Sequence, residues 1–128
     1  MKKLRVLFFS YHGHLPQGER LRPLIESLGM ELVCINEKSN PRYDRLTIND
    51  EIKKSDIVIC PVDPIHTCKS NNRVTQSLSC NRPVIASPIS SYLEIEDKNL
   101  YIAYSDEDWK KYLIQLRDSY ANVVKLPS

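Results

Sequence analysis

Residues 57–62 of this chain are Ile-Val-Ile-Cys-Pro-Val, residues 69–76 are Lys-Ser-Asn-Asn-Arg-Val-Thr-Gln, and residues 83–87 are Pro-Val-Ile-Ala-Ser. Two short apolar runs thus flank a polar segment that carries two cations, two hydroxyls and three amides. Buried parallel strands are continuously apolar, and the intervening segment is typical of a helix start. A strand that leads into a polar, cationic helix start is how open α/β sheets hold phosphate groups.

The size and charge of the chain indicate one domain without a strong bias toward polyanions. The 128 residues fit a single domain spanning positions 1–128. Lys and Arg number 18 against 16 Asp and Glu, which gives a net charge of +2. We therefore expect anion recognition to depend on local clusters of cations, and we expect no nucleic-acid partner.

The cysteines and the N-terminal segment favour a cytoplasmic protein. The four cysteines form no C-x-x-C pair, so we expect reduced thiols, and their spacing from the three histidines predicts no metal site. The first apolar run, residues 4–9, is too short for a signal-peptide core or a membrane span. We expect no integral membrane segment.

Strands and helices are expected to alternate along the whole chain. Strands are predicted at residues 4–9, 31–35, 56–62, 83–87 and 100–104, and helices from about Leu21 to Leu28, at 49–55, at 69–80 and after a cap at Ser105. Residues 10–18 are predicted to form a loop. This alternation predicts an α/β, Rossmann-like three-layer domain with a parallel sheet in the order 2-1-3-4-5. In that order the ligand crevice opens between the first and third strands.

The helix predicted to start at Lys69 is the main candidate site. Its free N–H groups, the Lys69 ammonium and the Ser70 hydroxyl would face the crevice, and Arg73 would lie one turn later on the same face. A diphosphate would satisfy these groups, and Gln76 could bind sugar hydroxyls. The alternative is a solvated helix whose cations serve no ligand.

The loops that border the same crevice contain the histidines of the chain. His12 and His14 are candidates for a general base, and His66 is a candidate ligand contact. Glu94, after the fourth strand, could reach a bound sugar together with Tyr92. The alternative for the His12 loop is a polar turn that needs Gly13.

Several segments resemble a known family when they are taken together. The pattern Lys69-Ser70-x-Asn72-Arg73, then Gln76, residues 83–87 and Tyr92-x-Glu94 resembles the C-terminal half of family-4 GT-B glycosyltransferases. The resemblance implies a nucleotide-diphosphate sugar as substrate, with no other cofactor. It also implies that Lys69 and Arg73 bind the diphosphate and that Gln76 stands at the ribose-binding position.

Two departures from the family pattern are visible. Gln76 replaces the usual Glu, and Asn81 stands where Gly is usual, which predicts a left-handed residue that Asn can supply. The acceptor half is absent from this sequence, so a second chain or a homodimer would have to supply the acceptor side.

Two principal hypotheses follow. The first is a glycosyltransferase-like protein that binds a nucleotide sugar and transfers the sugar with a partner chain. The second is a non-catalytic module that binds a nucleotide or a protein partner. A receiver-like signalling domain is a third, weaker hypothesis. The sequence contains neither G-x-G-x-x-G nor a P-loop motif.

Overall fold

The computed structural model describes residues 3–10, 15–36, 38–39, 43–62 and 71–125. Five strands form one parallel sheet in the order β2-β1-β3-β4-β5, so the predicted fold class and strand order are confirmed. The elements are β1 Arg5–Phe9, α1 Leu15–Glu19, α2 Arg22–Ser27, β2 Glu31–Ile35, α3 Ile48–Lys54, β3 Ile57–Cys60, α4 Asn72–Ser79, β4 Val84–Ala86, α5 Ser90–Leu93, β5 Leu100–Ile102 and α6 Asp106–Lys125.

Each face of the sheet is covered by its own layer of helices. Side chains of successive strand residues point to opposite faces, so Val6 and Phe8 face one layer and Leu7 and Phe9 face the other. The first layer contains α2 and α6, and the second contains α3, α4 and α5. Both strand faces are therefore buried, as the continuously apolar strands predict.

The longest helix, α6, is set by local signals. The Ser105 hydroxyl accepts a hydrogen bond from the Asp108 N–H at 3.2 Å, so the predicted cap is confirmed. The Asp108 carboxylate in turn accepts the Tyr104 N–H at 2.9 Å. Trp109 and Leu113 lie on one apolar stripe of α6, at helical spacing, and are buried against the sheet. Among the described residues, no helix has both the length and the apolar content that crossing a bilayer requires.

Two left-handed residues end helices, and one of them, Asn81, is the left-handed residue that the sequence predicts. Asn81 has φ of 60° and Gly29 has φ of 80°. Asn81 follows α4, and its N–H donates to the Leu78 carbonyl at 2.9 Å, which satisfies one of the free carbonyls at the helix end. Asn tolerates this conformation better than most residues that carry a Cβ atom.

Two elements differ from the predictions. Residues 15–19, which the sequence predicts to be part of a loop, form the short helix α1. The helix is not visible in the sequence because Pro16 and Gly18 are both poor helix formers. Helix α4 begins at Asn72 after the bend at Asn71, whereas a start at Lys69 was predicted. Lys69 lies outside the described residues, so its predicted position on the same helical face as Arg73 stays a prediction.

The packing of α1 on β1 depends on a glycine. A Cβ atom at Gly18 would lie 2.5 Å from two ring carbons of Phe8, and the Phe8 side chain is completely buried. Real Cβ atoms do not approach other carbons this closely, so any other residue would push α1 away from the sheet. This position sets the distance between α1 and the end of β1.

We expect Gly18→Ala to lower the free energy of unfolding by about 1–3 kcal/mol, the usual cost of overpacking. Phe8→Leu, although destabilising alone, should reduce that cost in the double variant, since it removes the ring that the new methyl group meets. Gly29→Ala is the control, because the space around Gly29 is open and its cost comes from positive φ alone. Urea denaturation measures all four. Additive costs for Gly18→Ala and Phe8→Leu would contradict the proposed contact.

An ion pair ties the start of β1 to α3. The Arg5 guanidinium donates to the Glu51 carboxylate at 2.9 Å, and both side chains are only 15% exposed. This hydrogen bond holds the pKa of Glu51 below the ordinary value of 4.5, and burial opposes the effect. Because the carboxyl group is more acidic in the folded state, its contribution is present above pH 4.5 and is lost as the pH falls through the lower folded value.

We expect Glu51→Gln to lower the free energy of unfolding at pH 7 by about 1–3 kcal/mol, because Arg5 loses a charged partner. The decline in stability of the variant below pH 4.5 should also be shallower than that of the parent. Chemical denaturation from pH 7 to pH 3 measures both effects. Glu26→Gln is the control, because Glu26 is exposed. If the free energy of unfolding fell with pH equally steeply in the parent and in Glu51→Gln, the ion pair would not be the source of the acid sensitivity.

Candidate functional site

The strand order places the switch point of the sheet, where a ligand crevice is expected, between β1 and β3 at the carboxyl edge. These strands are neighbours, yet the chain leaves β1 toward α1 and α2 on one face and leaves β3 toward α4 on the other. Crevices at such a reversal of strand order are where open α/β sheets bind ligands. The loops of residues 11–14 and 63–70 leave this edge and lie outside the described residues.

Arg73, the second residue of α4, spans the crevice. Its Nη1 donates to the Phe9 carbonyl at 3.1 Å, so the side chain reaches the last residue of β1. The guanidinium carbon lies 5.6 Å from the centroid of the Phe8 ring, a cation–π arrangement. Because Phe8 faces the layer opposite α4, the guanidinium crosses the end of the sheet.

The second terminal nitrogen of Arg73, Nη2, is buried and forms no well-aligned hydrogen bond to any described residue, with the Tyr92 side chain as a neighbour of the guanidinium. A buried donor without a partner is costly, and a charged one more so. The nitrogen is therefore suited to an acceptor such as a phosphate oxygen, which guanidinium groups bind with matched geometry.

Two further polar groups lie beside the guanidinium. Tyr92 is completely buried, and its hydroxyl adjoins the Arg73 guanidinium but forms no well-aligned hydrogen bond to any described residue. Burial raises the pKa of Tyr92 to about 12, Cys60 adds to this, and Arg73 opposes it. Burial also raises the pKa of the Cys60 thiol to about 11, and the charge of Arg73 opposes this shift. Both groups are neutral at pH 7, so neither cancels the charge of Arg73.

The other residues predicted for the site have different positions. Gln76 donates from Nε2 to the Asn49 Oδ1 at 2.8 Å, so its amide is directed to α3. Glu94 is exposed just after α5, whereas Tyr92 lies inside the core. Lys69, Ser70, His12, His14 and His66 lie outside the described residues. The structure thus brings Arg73 and Tyr92 together and leaves the roles predicted for the remaining residues untested.

Sequence reasoning missed a turn at the carboxyl end of β2. Asn36 is buried, its Oδ1 accepts the Lys38 N–H at 2.9 Å, and its N–H donates to the Ser39 hydroxyl at 2.9 Å. Nucleotide-binding α/β sheets often place a ribose-binding residue at this position. The signal available in the sequence is that Asn36 follows the second strand directly.

A cleft opens at the same edge, above the ends of β3, β4 and β5. Its volume is about 300 Å³. The residues that line it are Arg20, Val62, Ser87, Pro88, Ile89, Ala103, Tyr104, Ser105, Asp106 and Trp109. Arg20 and Asp106 form an ion pair at 3.0 Å across its rim, joining the end of α1 to the start of α6.

No family model and no curated protein matches this sequence. Solved structures that share the fold include RSP, a Rex-family repressor, at 14% identity and a TM-score of 0.54 over 97% of this chain and 63% of RSP. RSP in complex with β-NADH matches at 14% identity and a TM-score of 0.54, over 96% of this chain and 65% of RSP. RSP in complex with β-NAD⁺ and operator DNA matches at 13% identity and a TM-score of 0.53, over 96% of this chain and 60% of RSP.

The comparison corrects one expectation. The exclusion of nucleic acid as a partner is wrong, because a protein with this fold forms a complex with operator DNA. Balanced net charge was the basis of that exclusion, and net charge does not describe how charge is distributed over a surface. At 14% identity the likeness shows a shared fold, and this chain spans between 60% and 65% of the length of these neighbours.

Proposed function

We propose that this chain is a nucleotide-binding module that holds the diphosphate of its ligand in the crevice between β1 and β3. The observation that carries the proposal is the Arg73 guanidinium, which lies across the crevice with a buried, unpartnered Nη2. The module is non-catalytic in this proposal, since its task is to bind.

The charge at the crevice supports a phosphate ligand. The Phe9 carbonyl fixes one arm of the guanidinium, so little side-chain entropy remains to be lost when a ligand binds. A phosphate oxygen would give Nη2 its missing acceptor and would form a charge-assisted hydrogen bond. The neutral Tyr92 hydroxyl adjoins the guanidinium without a partner and offers one further donor.

The comparison with RSP supports a nucleotide as the ligand class. That protein binds β-NADH and β-NAD⁺ on the same fold, in structures that cover nearly all of this chain. The identity is 14%, so the ligand of RSP is carried over here as part of the proposal.

Glycosyl transfer stays a prediction from sequence. The position of Arg73 favours it, because the GT-B resemblance assigns this residue to the diphosphate. The bond from Gln76 to Asn49 weighs against it, because that amide would have to be released before it could bind a ribose. Release of sugar from a nucleotide sugar in the presence of this chain would favour the enzyme over the module.

We expect Arg73→Met to weaken ADP binding by roughly 10- to 100-fold, as loss of one or two hydrogen bonds to a charged group implies. Arg73→Lys should give an intermediate loss, because it keeps the charge and removes the planar fork. Isothermal titration of ADP into each variant measures the dissociation constants.

Arg117→Met is the matched control. Arg117 also donates to a backbone carbonyl, that of Leu28 at 3.3 Å, but it does so near the start of β2, at the opposite edge of the sheet. Its removal should leave ADP affinity unchanged. Equal affinities of the parent and the Arg73→Met variant, with both folded by circular dichroism, would refute the assignment of Arg73. No binding by the parent at millimolar ADP would refute the nucleotide-binding function.

A further inference from the structure

We propose that the cleft above β3, β4 and β5 is a second subsite, which takes a planar, uncharged ring of the same ligand. The ligand class is then a dinucleotide, with its diphosphate at Arg73 and its second ring in the cleft. This inference rests on the proposed function and adds the identity of the ligand.

The volume of the cleft suits one part of a ligand. About 300 Å³ is at the lower end of the range for small-molecule sites, roughly 300–1,000 Å³. A whole dinucleotide would not fit, whereas a single ring with its attachment would. A ligand that fills the cleft must therefore continue elsewhere along the carboxyl edge.

The walls of the cleft favour a flat apolar surface. Trp109, Ala103 and Ile89 are almost completely buried and form an apolar lining. Tyr104 is 67% exposed, which is unusual for so large an apolar side chain. A ring placed against Tyr104 would remove apolar surface of both groups from water and allow the offset or edge contacts that aromatic pairs prefer.

The polar groups of the cleft favour a ring that is uncharged. Among the described residues that line the cleft, Arg20 and Asp106 are the charged ones, and they already neutralise each other across the rim. A charged ring would have to compete with one member of that pair. The Ser87 hydroxyl accepts the Val62 N–H at 2.8 Å, so its hydrogen remains available for a polar substituent on the ring.

The cleft adjoins the crevice through β3. Val62 lines the cleft, and Cys60, two residues earlier in the same strand end, is close enough to Arg73 for the guanidinium to act on its thiol. Both features open at the carboxyl edge, where Arg73 crosses to the face that α6 covers. In this proposal, one extended ligand spans both.

The test compares NADH with ADP-ribose, which lacks the dihydronicotinamide ring. We expect the parent to bind NADH about tenfold more tightly than ADP-ribose, as one buried aromatic contact implies. Tyr104→Ala should abolish that difference and leave ADP-ribose affinity unchanged. Ala103→Leu places a larger side chain in the cleft from the residue after β5, and it should likewise abolish the difference between NADH and ADP-ribose. NADH fluorescence and calorimetry give the constants, and unchanged ADP-ribose binding shows that each variant is folded.

Leu46→Ala is the control, because Leu46 is 89% exposed and does not line the cleft. It should leave both affinities as they are in the parent. Equal affinity for NADH and ADP-ribose in the parent would overturn the subsite while nucleotide binding stands. Tighter binding of UDP-glucose than of UDP, lost in Tyr104→Ala, would assign the cleft to a sugar and overturn the ring. No binding of ADP, ADP-ribose or NADH would overturn the subsite and the proposed function together.

Discussion

The central position of β1 is the constraint on which the rest of the structure depends. This strand is hydrogen-bonded to β2 on one side and β3 on the other, and its side chains are buried on both faces. The crossovers from β1 and β3 must then go to opposite layers of helices. Their divergence leaves backbone groups of the strand ends without a covering helix, and this opens a crevice at the carboxyl edge.

The Arg73 guanidinium lies at the end of β1, beside this crevice. A guanidinium held between a backbone carbonyl and an aromatic ring is fixed in position, while one of its nitrogens lacks an acceptor. Tyr92 and Cys60 are neutral at pH 7, and burial raises both pKa values further, so neither neighbour cancels the charge of the cation. This end of the sheet therefore has an uncancelled positive charge, beside two polar groups, Arg73 Nη2 and the Tyr92 hydroxyl, that form no well-aligned hydrogen bond to a described residue.

The same geometry weakens one part of the glycosyltransferase interpretation and leaves another intact. Arg73 lies at the switch point of the sheet, bonded to the Phe9 carbonyl, whereas the Gln76 amide is bonded to α3. An α/β sheet with its switch point between β1 and β3 serves many nucleotide ligands, and fold alone does not choose among them. The choice depends on the side chains at the carboxyl edge, and here that edge includes a cleft with an apolar lining and an ion pair at its rim.

Local sequence determined the strands, their parallel arrangement, the cap and apolar stripe of α6, and the left-handed residues Gly29 and Asn81. These features depend on periodicity and on single-residue preferences, which act within a few positions of the chain. Tertiary structure alone decided the bond between Arg73 and Phe9, which are 64 residues apart, and that between Gln76 and Asn49, which are 27 apart. It also decided the close approach of Gly18 to Phe8, because a pattern in the sequence does not encode the distance between two packed elements.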